Sequence, residues 1–385
     1  MKASSYILAA VTCLSLYTCK TPFSAWLKQY FREHKKFGSR DRKIISHLCY
    51  SYFRLGGAFE WLPVEERITR GLFLTSSVHN PQLAEVRPEW NTDCQLSIDE
   101  KFAALEAKQE WALVFPMHLH LSPAINKERF IKAHLVQPQL HLRIRPGRKA
   151  DVLQKLNEAQ IAHEQPRDTT LSLANTTKID ELLELDAEAV VQDISSQEVL
   201  QPLQFIFATA DAAFTAWDCC AASGGKSILL FDTYPNVHLT VSDVRSGILT
   251  NLHQRFRKAG ITNYDSFVAD VGGPQFTMSK TFDLVICDVP CTGSGTWSRT
   301  PEQLSCFTEE RIKQYADRQK WIGTNAAKSL KKGGALLYIT CSVFKEENED
   351  GVKHLQQAGL QLRSSHYFEG YTRRGDTLFA ALLAL

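Results

Sequence analysis

The sequence predicts an α/β protein: a doubly wound, mostly parallel sheet in the C-terminal half, preceded by a small α+β subdomain and an N-terminal helical domain. Three observations carry this. From about residue 213 onward, short apolar segments alternate with helix-period segments. At Leu140-His141-Leu142-Arg143-Ile144-Arg145 the pattern alternates as a strand does. Residues 1 to about 75 repeat apolar side chains at three- and four-residue spacing, as in Ile44, Ile45, Leu48, Tyr52 and Leu55. The expected divisions are residues 1–138, 139–200 and 201–385.

A chain of 385 residues suits two or three domains. With 44% hydrophobic and 22% charged residues it is neither disordered, collagen-like nor a polytopic membrane protein. Lysine and arginine total 44 against 42 acids, so a polyanionic partner must be held by local patches. The ten cysteines form no paired C-x-x-C sets, so no structural metal site is expected.

The apolar run Ile7 to Tyr17 after Met1-Lys2 has the look of a short secretory signal. Ser4 and Ser5 precede it, Thr12 and Ser15 interrupt it, and it falls short of the ~18 apolar residues that span a bilayer. It is expected to form the first amphipathic helix. Residues 28–54 then hold eight basic side chains, Lys28 to Arg54, against Glu33 and Asp41. A solvated helix face and a phosphate-contacting surface both fit this excess.

Residues 78–98 carry His79-Asn80-Pro81, Pro88 and Asn91-Thr92-Asp93, expected as a loop between helices. In the next division, strands are expected at 140–145, 169–173 and 189–192, with helices at 150–159 and 178–185. Arg143, Arg145, Arg148 and Lys149 make a second candidate RNA contact there.

In the C-terminal division the expected strands are 213–219, 237–243, 265–269, 282–288 and 335–340, with the clearest helices at 247–259 and 309–330. Ligands of such sheets bind outside the carboxyl ends of the strands. The first strand ends Asp218-Cys219-Cys220-Ala221-Ala222-Ser223-Gly224-Gly225-Lys226-Ser227, small residues that let backbone N–H groups approach a ligand. A Walker A loop would need glycine at Cys220, so a nucleotide-triphosphatase is a near miss. The second strand ends in Asp243, an acid suited to ribose hydroxyls. Together these indicate an adenosyl cofactor without a triphosphate. The fourth strand runs out into Asp288-Val289-Pro290-Cys291-Thr292-Gly293-Ser294-Gly295, and the fifth into Thr340-Cys341-Ser342 followed by Glu347-Asn348-Glu349. Two cysteines beside a carboxylate at adjacent strand ends point to thiol chemistry, and free thiols point to a reducing cytoplasm.

Asp-x-Cys-Ala-Ala-x-Gly-Gly-Lys from Asp218, Asp-x-Pro-Cys-x-Gly-x-Gly from Asp288, and Thr340-Cys341-Ser342 with its Glu-Asn-Glu resemble the Fmu/Sun (Nop-type) RNA cytosine-5 methyltransferases. Lys36 to Gly56 is similar to part of the NusB-like domain of the bacterial 16S rRNA members. Residues 139–200 are similar to their small subdomain, and Gly375 to Ala380 to their last strand. Ser223 stands where the family has proline, Ser227 where it has threonine and Ile248 where it has arginine. Ser298 replaces the first of an arginine pair, leaving Arg299.

The resemblance implies a Rossmann-like class I methyltransferase domain, S-adenosyl-L-methionine as cofactor and RNA as partner. It implies small-subunit rRNA as substrate, with tRNA as the alternative, and 5-methylcytosine as product. A non-catalytic ribosome-assembly factor is the reading from another class. By resemblance Cys341 attacks cytosine C6 and Cys291 assists release; spacing alone does not order them. Asp288 would hold the N3/N4 edge, with Lys226 orienting it and favouring the thiolate. Cys220, Ala221, Ala222, Ser223, Gly224, Gly225 and Lys226 would wrap the methionine and ribose, Asp243 the ribose hydroxyls, and Asp270 the adenine edge, with Asp288 adjoining. The target base must be single-stranded or flipped, and Trp297 would stack on it or sit in a core. The implied protein is a cytoplasmic monomer without metal or membrane.

Overall fold

The computed structural model describes residues 2–207, Thr209, Asp211 and 213–385; Met1, Ala208, Ala210 and Ala212 lie outside them. Two compact units emerge. One is helical and comprises residues 1–119, 126–137 and 297–308; the other holds both sheets and comprises 120–125, 138–296 and 309–385.

In the helical unit the Ile7–Tyr17 run forms most of a helix, Ala3–Leu16, that buries Ala3, Tyr6, Ile7, Ala10 and Cys13. Helices Phe23–Glu33, Ser39–Phe53 and Val64–Thr75 follow. The last two touch so closely that a Cβ on Gly71 would lie 2.4 Å from the Ser51 carbonyl oxygen. The expected loop at 78–98 contains two short helices instead, Pro81–Val86 and Pro88–Thr92. The residues read as breakers act as starters: Asn80 accepts from the Gln82 and Leu83 amides, and each proline opens its helix.

Residues 297–308 were expected with the C-terminal division but group with the helices. Trp297 is buried between Phe115 and Phe307, at ring distances of 5.5 and 4.8 Å. Glu302 accepts from the Phe23 amide at 3.1 Å, and Cys19 is disulfide-bonded to Cys306. The expectation of free thiols concerned the motif cysteines, and Cys291 and Cys341 are free. No helix among the described residues is long and apolar enough to cross a membrane.

The second unit begins with a four-stranded antiparallel sheet built from β1 (Leu140–Ile144), β2 (His163–Arg167), β3 (Thr170–Leu173) and β4 (Ala189–Val191), in the order β2-β3-β1-β4. Helix Lys149–Glu158 packs Val152 and Leu156 against it. Strand β2, a polar, mostly exposed edge, was not expected, and the expected helix at 178–185 is only a short 3₁₀ turn, Ile179–Glu181.

The seven-stranded sheet comprises β5 (Thr215–Asp218), β6 (His238–Asp243), β7 (Tyr264–Val268), β8 (Phe282–Asp288), β9 (Leu330–Thr340), β10 (Gln361–Glu369) and β11 (Thr377–Ala384). Its order is β10-β11-β9-β8-β5-β6-β7, parallel from β9 to β7 and antiparallel at β11 and β10. The strand order reverses at β5, between β6 and β8, which opens a crevice above the carboxyl ends. Alternate residues bury both faces. Leu284 and Ile286 meet helices Gly225–Thr233 and Ser246–Ala259, while Val285 and Cys287 meet helices Glu310–Ala327 and Glu349–Gln357.

Candidate active site

Strand β5 delivers the chain into a tight turn before helix Gly225–Thr233. Gly224 takes φ +82°, and a Cβ there would lie 2.7 Å from the Phe256 ring. Only glycine fits. The Ala222 amide donates to Asp243 Oδ2 at 3.0 Å, which pins the turn to the end of β6. Beneath it Asp218 accepts from the Ser227 hydroxyl at 2.6 Å, and burial pushes its carboxyl up to about 7 despite that bond.

The neighbouring strand β8 ends in Asp288, which Lys226 Nζ meets at 2.6 Å. Burial works against the ammonium, but Asp288, with Cys341 and Asp218, offsets it, and the Lys226 pKa stands above its usual value. Strands β8 and β9 pair with Asp288 opposite Ile339, so their exit turns lie side by side. The Cys291 and Cys341 sulfurs are 3.2 Å apart. The close approach needs Gly295: its amide donates to the Cys341 carbonyl at 2.9 Å, and a Cβ would lie 2.1 Å from the Thr377 carbonyl oxygen. The contact with Cys341, together with burial, raises the Cys291 thiol well above its usual range. Lys226 is close enough to Cys341 for the two to interact electrostatically.

These groups surround a cleft of about 430 Å³. Of the expected site residues, Cys220, Ala222, Lys226, Asp243, Asp270, Asp288, Cys291 and Cys341 line it. Ala221, Ser223, Gly224 and Gly225 are absent from the lining and shape the turn instead: the Ala221 amide donates to the Ser242 carbonyl, and Ser223 is held by Arg255 Nη1 at 3.0 Å. Asp243 also accepts from Arg245 Nε at 3.0 Å, a partner on the exposed rim. Asp270 is more exposed, accepts from the Gly272 amide at 3.2 Å, and lies 4.0 Å from Arg318.

Arg245, Tyr315, Arg318 and Ile322 also line the cleft and were not foreseen. The last three recur at helical spacing on Glu310–Ala327, so a face count of that helix was the available signal. Trp297 belongs to a core and not to the cleft, since it is only 2% exposed.

The two basic clusters divide. Arg143 and Arg145 are buried on Asp232, at 2.5 and 2.6 Å, so they are structural and not an RNA-facing pair. The face expected to meet solvent is covered. Arg148 and Lys149 stay substantially exposed. In the first cluster Arg54 is buried on the His134 and Val136 carbonyls and Gln137, whereas Lys28, Arg32, Lys35, Lys36, Arg40 and Lys43 remain exposed.

Residues 207–373 match the family described as 16S rRNA methyltransferase RsmB/F. A Vibrio cholerae protein named ribosomal RNA small subunit methyltransferase F is 29% identical over 170 residues, covering 43% of this chain and 35% of that protein. A Xanthomonas campestris ribosomal RNA small subunit methyltransferase B is 31% identical over 171 residues, covering 43% and 38%. The chain thus spans little more than a third of the length of these curated relatives, and the family match leaves out residues 1–206. The fold likeness is broader. The solved structure of PH0851 superposes with a TM-score of 0.70 at 19% identity, covering 94% of each chain. NSun6 from Pyrococcus horikoshii, solved with SFG, gives 0.59 at 15% identity over 70% of this chain and 96% of that one. The segment similar to the family described as 16S rRNA methyltransferase RsmB/F, residues 207–373, holds every residue lining the cleft.

Proposed function

We propose that this protein is an S-adenosyl-L-methionine-dependent RNA 5-cytosine methyltransferase acting on small-subunit rRNA. The observation that carries the reading is the pair of thiols 3.2 Å apart, together with the Lys226–Asp288 ion pair, in a cleft that Asp243 also lines. The cleft volume is in the range of small-molecule sites, and the glycine turn with Asp243 fits an adenosyl group. When bound, that cofactor supplies an electrophilic methyl group for cytosine C5.

The protein's own part is to make C5 reactive. The Cys341 thiolate adds to C6, and the ring becomes enamine-like at C5. Asp288, oriented by Lys226, holds the N3/N4 edge. After transfer, loss of the C5 proton expels Cys341 and restores the aromatic ring. Cys291, whose thiol keeps its proton, assists that release. A duplex hides C6, so the target cytosine is taken single-stranded or flipped out. The exposed lysines and arginines between Lys28 and Lys43 supply phosphate contacts. The same reading makes the protein a cytoplasmic monomer.

The test offers tritium-methyl S-adenosylmethionine with separated unmodified small-subunit rRNA, large-subunit rRNA and tRNA. Label recovered as 5-methylcytosine in the small-subunit pool is the expected result. Label in the tRNA pool overturns the substrate, and label in none, with the cofactor bound, favours a non-catalytic assembly factor. Asp243→Ala is expected to weaken cofactor binding by about 10- to 100-fold, the worth of charged hydrogen bonds, in calorimetric titration.

A further inference from the structure

Glu347 is fully buried and does not line the cleft. Its Oε1 accepts from the Thr292 amide at 2.9 Å and from Gln319 Nε2 at 2.8 Å. Its Oε2 accepts from the Thr292 hydroxyl at 2.5 Å and from the Ser342 hydroxyl. All four donors are neutral, so the carboxylate is buried at a cost that only these bonds offset, and burial raises its pKa against them. The donors are placed unusually well for one purpose. Thr292 follows Cys291 and Ser342 follows Cys341 in the chain. Gln319 also donates to the Pro290 carbonyl at 3.0 Å, the residue before Cys291.

We propose that Glu347 is the positioning residue for the cysteine pair: it ties the turn carrying Cys291 to the turn carrying Cys341 and so fixes the distance between the two sulfurs. The proposal rests on the reading of those cysteines as the reacting pair. Other bonds also join the turns, from the Gly295 amide to the Cys341 carbonyl at 2.9 Å, between the Ser294 and Ser342 hydroxyls at 3.1 Å and from the Thr292 hydroxyl to the Ser342 hydroxyl at 3.3 Å. The first two act beyond Cys291, at residues 294–295, and both hydroxyls of the third also bond Glu347 Oε2. Replacing Glu347 by glutamine preserves the tie. Its carbonyl oxygen accepts from the Thr292 amide and Gln319, while its NH₂ donates to the two hydroxyl oxygens, whose protons rotate away. Alanine removes the tie.

The full chain, without RNA or cofactor, is treated with dibromobimane, which bridges neighbouring thiols, and the Cys291–Cys341 product is followed by peptide mass spectrometry. Methyl transfer is measured in parallel at saturating cofactor. Glu347→Ala is expected to slow bridging about tenfold and to lower kcat about 10²-fold, as misplacement by an ångström does, with cofactor affinity within about twofold. Glu347→Gln is expected to restore both rates to within about threefold. A folded Glu347→Ala protein that bridges at the wild-type rate overturns the proposal. If that variant does not fold, Thr292→Val decides: slowed bridging supports the tie, and a wild-type rate overturns it. Bridging needs no turnover. Slowed bridging in a chain that methylates no RNA would therefore refute the functional reading and leave the tie standing.

Discussion

Cys341→Ala is expected to reduce methyl transfer by more than about 10³-fold, the scale of losing a covalent nucleophile. Cys291→Ala is expected to accumulate a protein–RNA adduct that survives denaturing electrophoresis. In the proposed mechanism the asymmetry follows from the separate tasks of the two thiols, whose sulfurs share a 3.2 Å contact; that contact and burial push the Cys291 thiol up. The Lys226 ammonium interacts with Cys341. Addition to C6 needs a thiolate, and release of the product needs help in breaking that same bond. Removing Cys291 leaves the addition intact and impairs the way out. The check is a denaturing gel with labelled small-subunit rRNA for each single variant and for the double variant, which should show neither product nor adduct. An adduct in Cys341→Ala and none in Cys291→Ala would reverse the assignment of the two thiols.

The grouping of these residues at one cleft was legible because each lies at the carboxyl end of a strand that is buried on both faces. Strands β5, β6, β8 and β9 read as apolar runs, and Asp218, Asp243, Asp288 and Cys341 mark where those runs stop. Strands β2 and β10 were invisible for the complementary reason. They are sheet edges, mostly exposed, with sequences His-Glu-Gln-Pro-Arg and Gln-Leu-Arg-Ser-Ser-His-Tyr-Phe-Glu that carry little apolar signal. Tyr315, Arg318 and Ile322 were missed because the helix spreads its contribution over eight residues, and no local motif marks the face. Glu347 was visible in a motif, but its work depends on Thr292, 55 positions away, and only the pairing of β8 with β9 brings them together.

Asp232→Ala is expected to destabilise the protein by about 3–5 kcal/mol, the cost of breaking a buried ion pair by removing one partner. Alternation along β1 puts His141, Arg143 and Arg145 on one face, and two arginines on a strand face suggest a surface for phosphates. The structure gives them a different task. Asp232, on helix Gly225–Thr233, takes Arg143 Nη1 on Oδ2 and Arg145 Nη2 on Oδ1, with all three side chains below 10% exposure. Arg145 also donates to the Asp186 and Ala259 carbonyls at 3.0 and 2.7 Å, and Arg143 to Gln192 at 2.8 Å. Asp186 in turn holds Arg255 at 2.7 Å, and Arg255 reaches Ser223 in the cleft turn. One chain of charges thus runs from the small sheet to the turn that shapes the cleft. Removing Asp232 leaves two guanidinium groups buried without their carboxylate, whereas Arg148→Gln, at an exposed position, should be near neutral. Urea midpoints for the two variants, read with RNA affinity at two salt concentrations, separate the possibilities. If Arg143 and Arg145 faced RNA, freeing them from Asp232 would leave stability near wild type and tighten binding with a steeper salt dependence. The buried geometry requires the opposite: a large loss of stability and no gain in affinity.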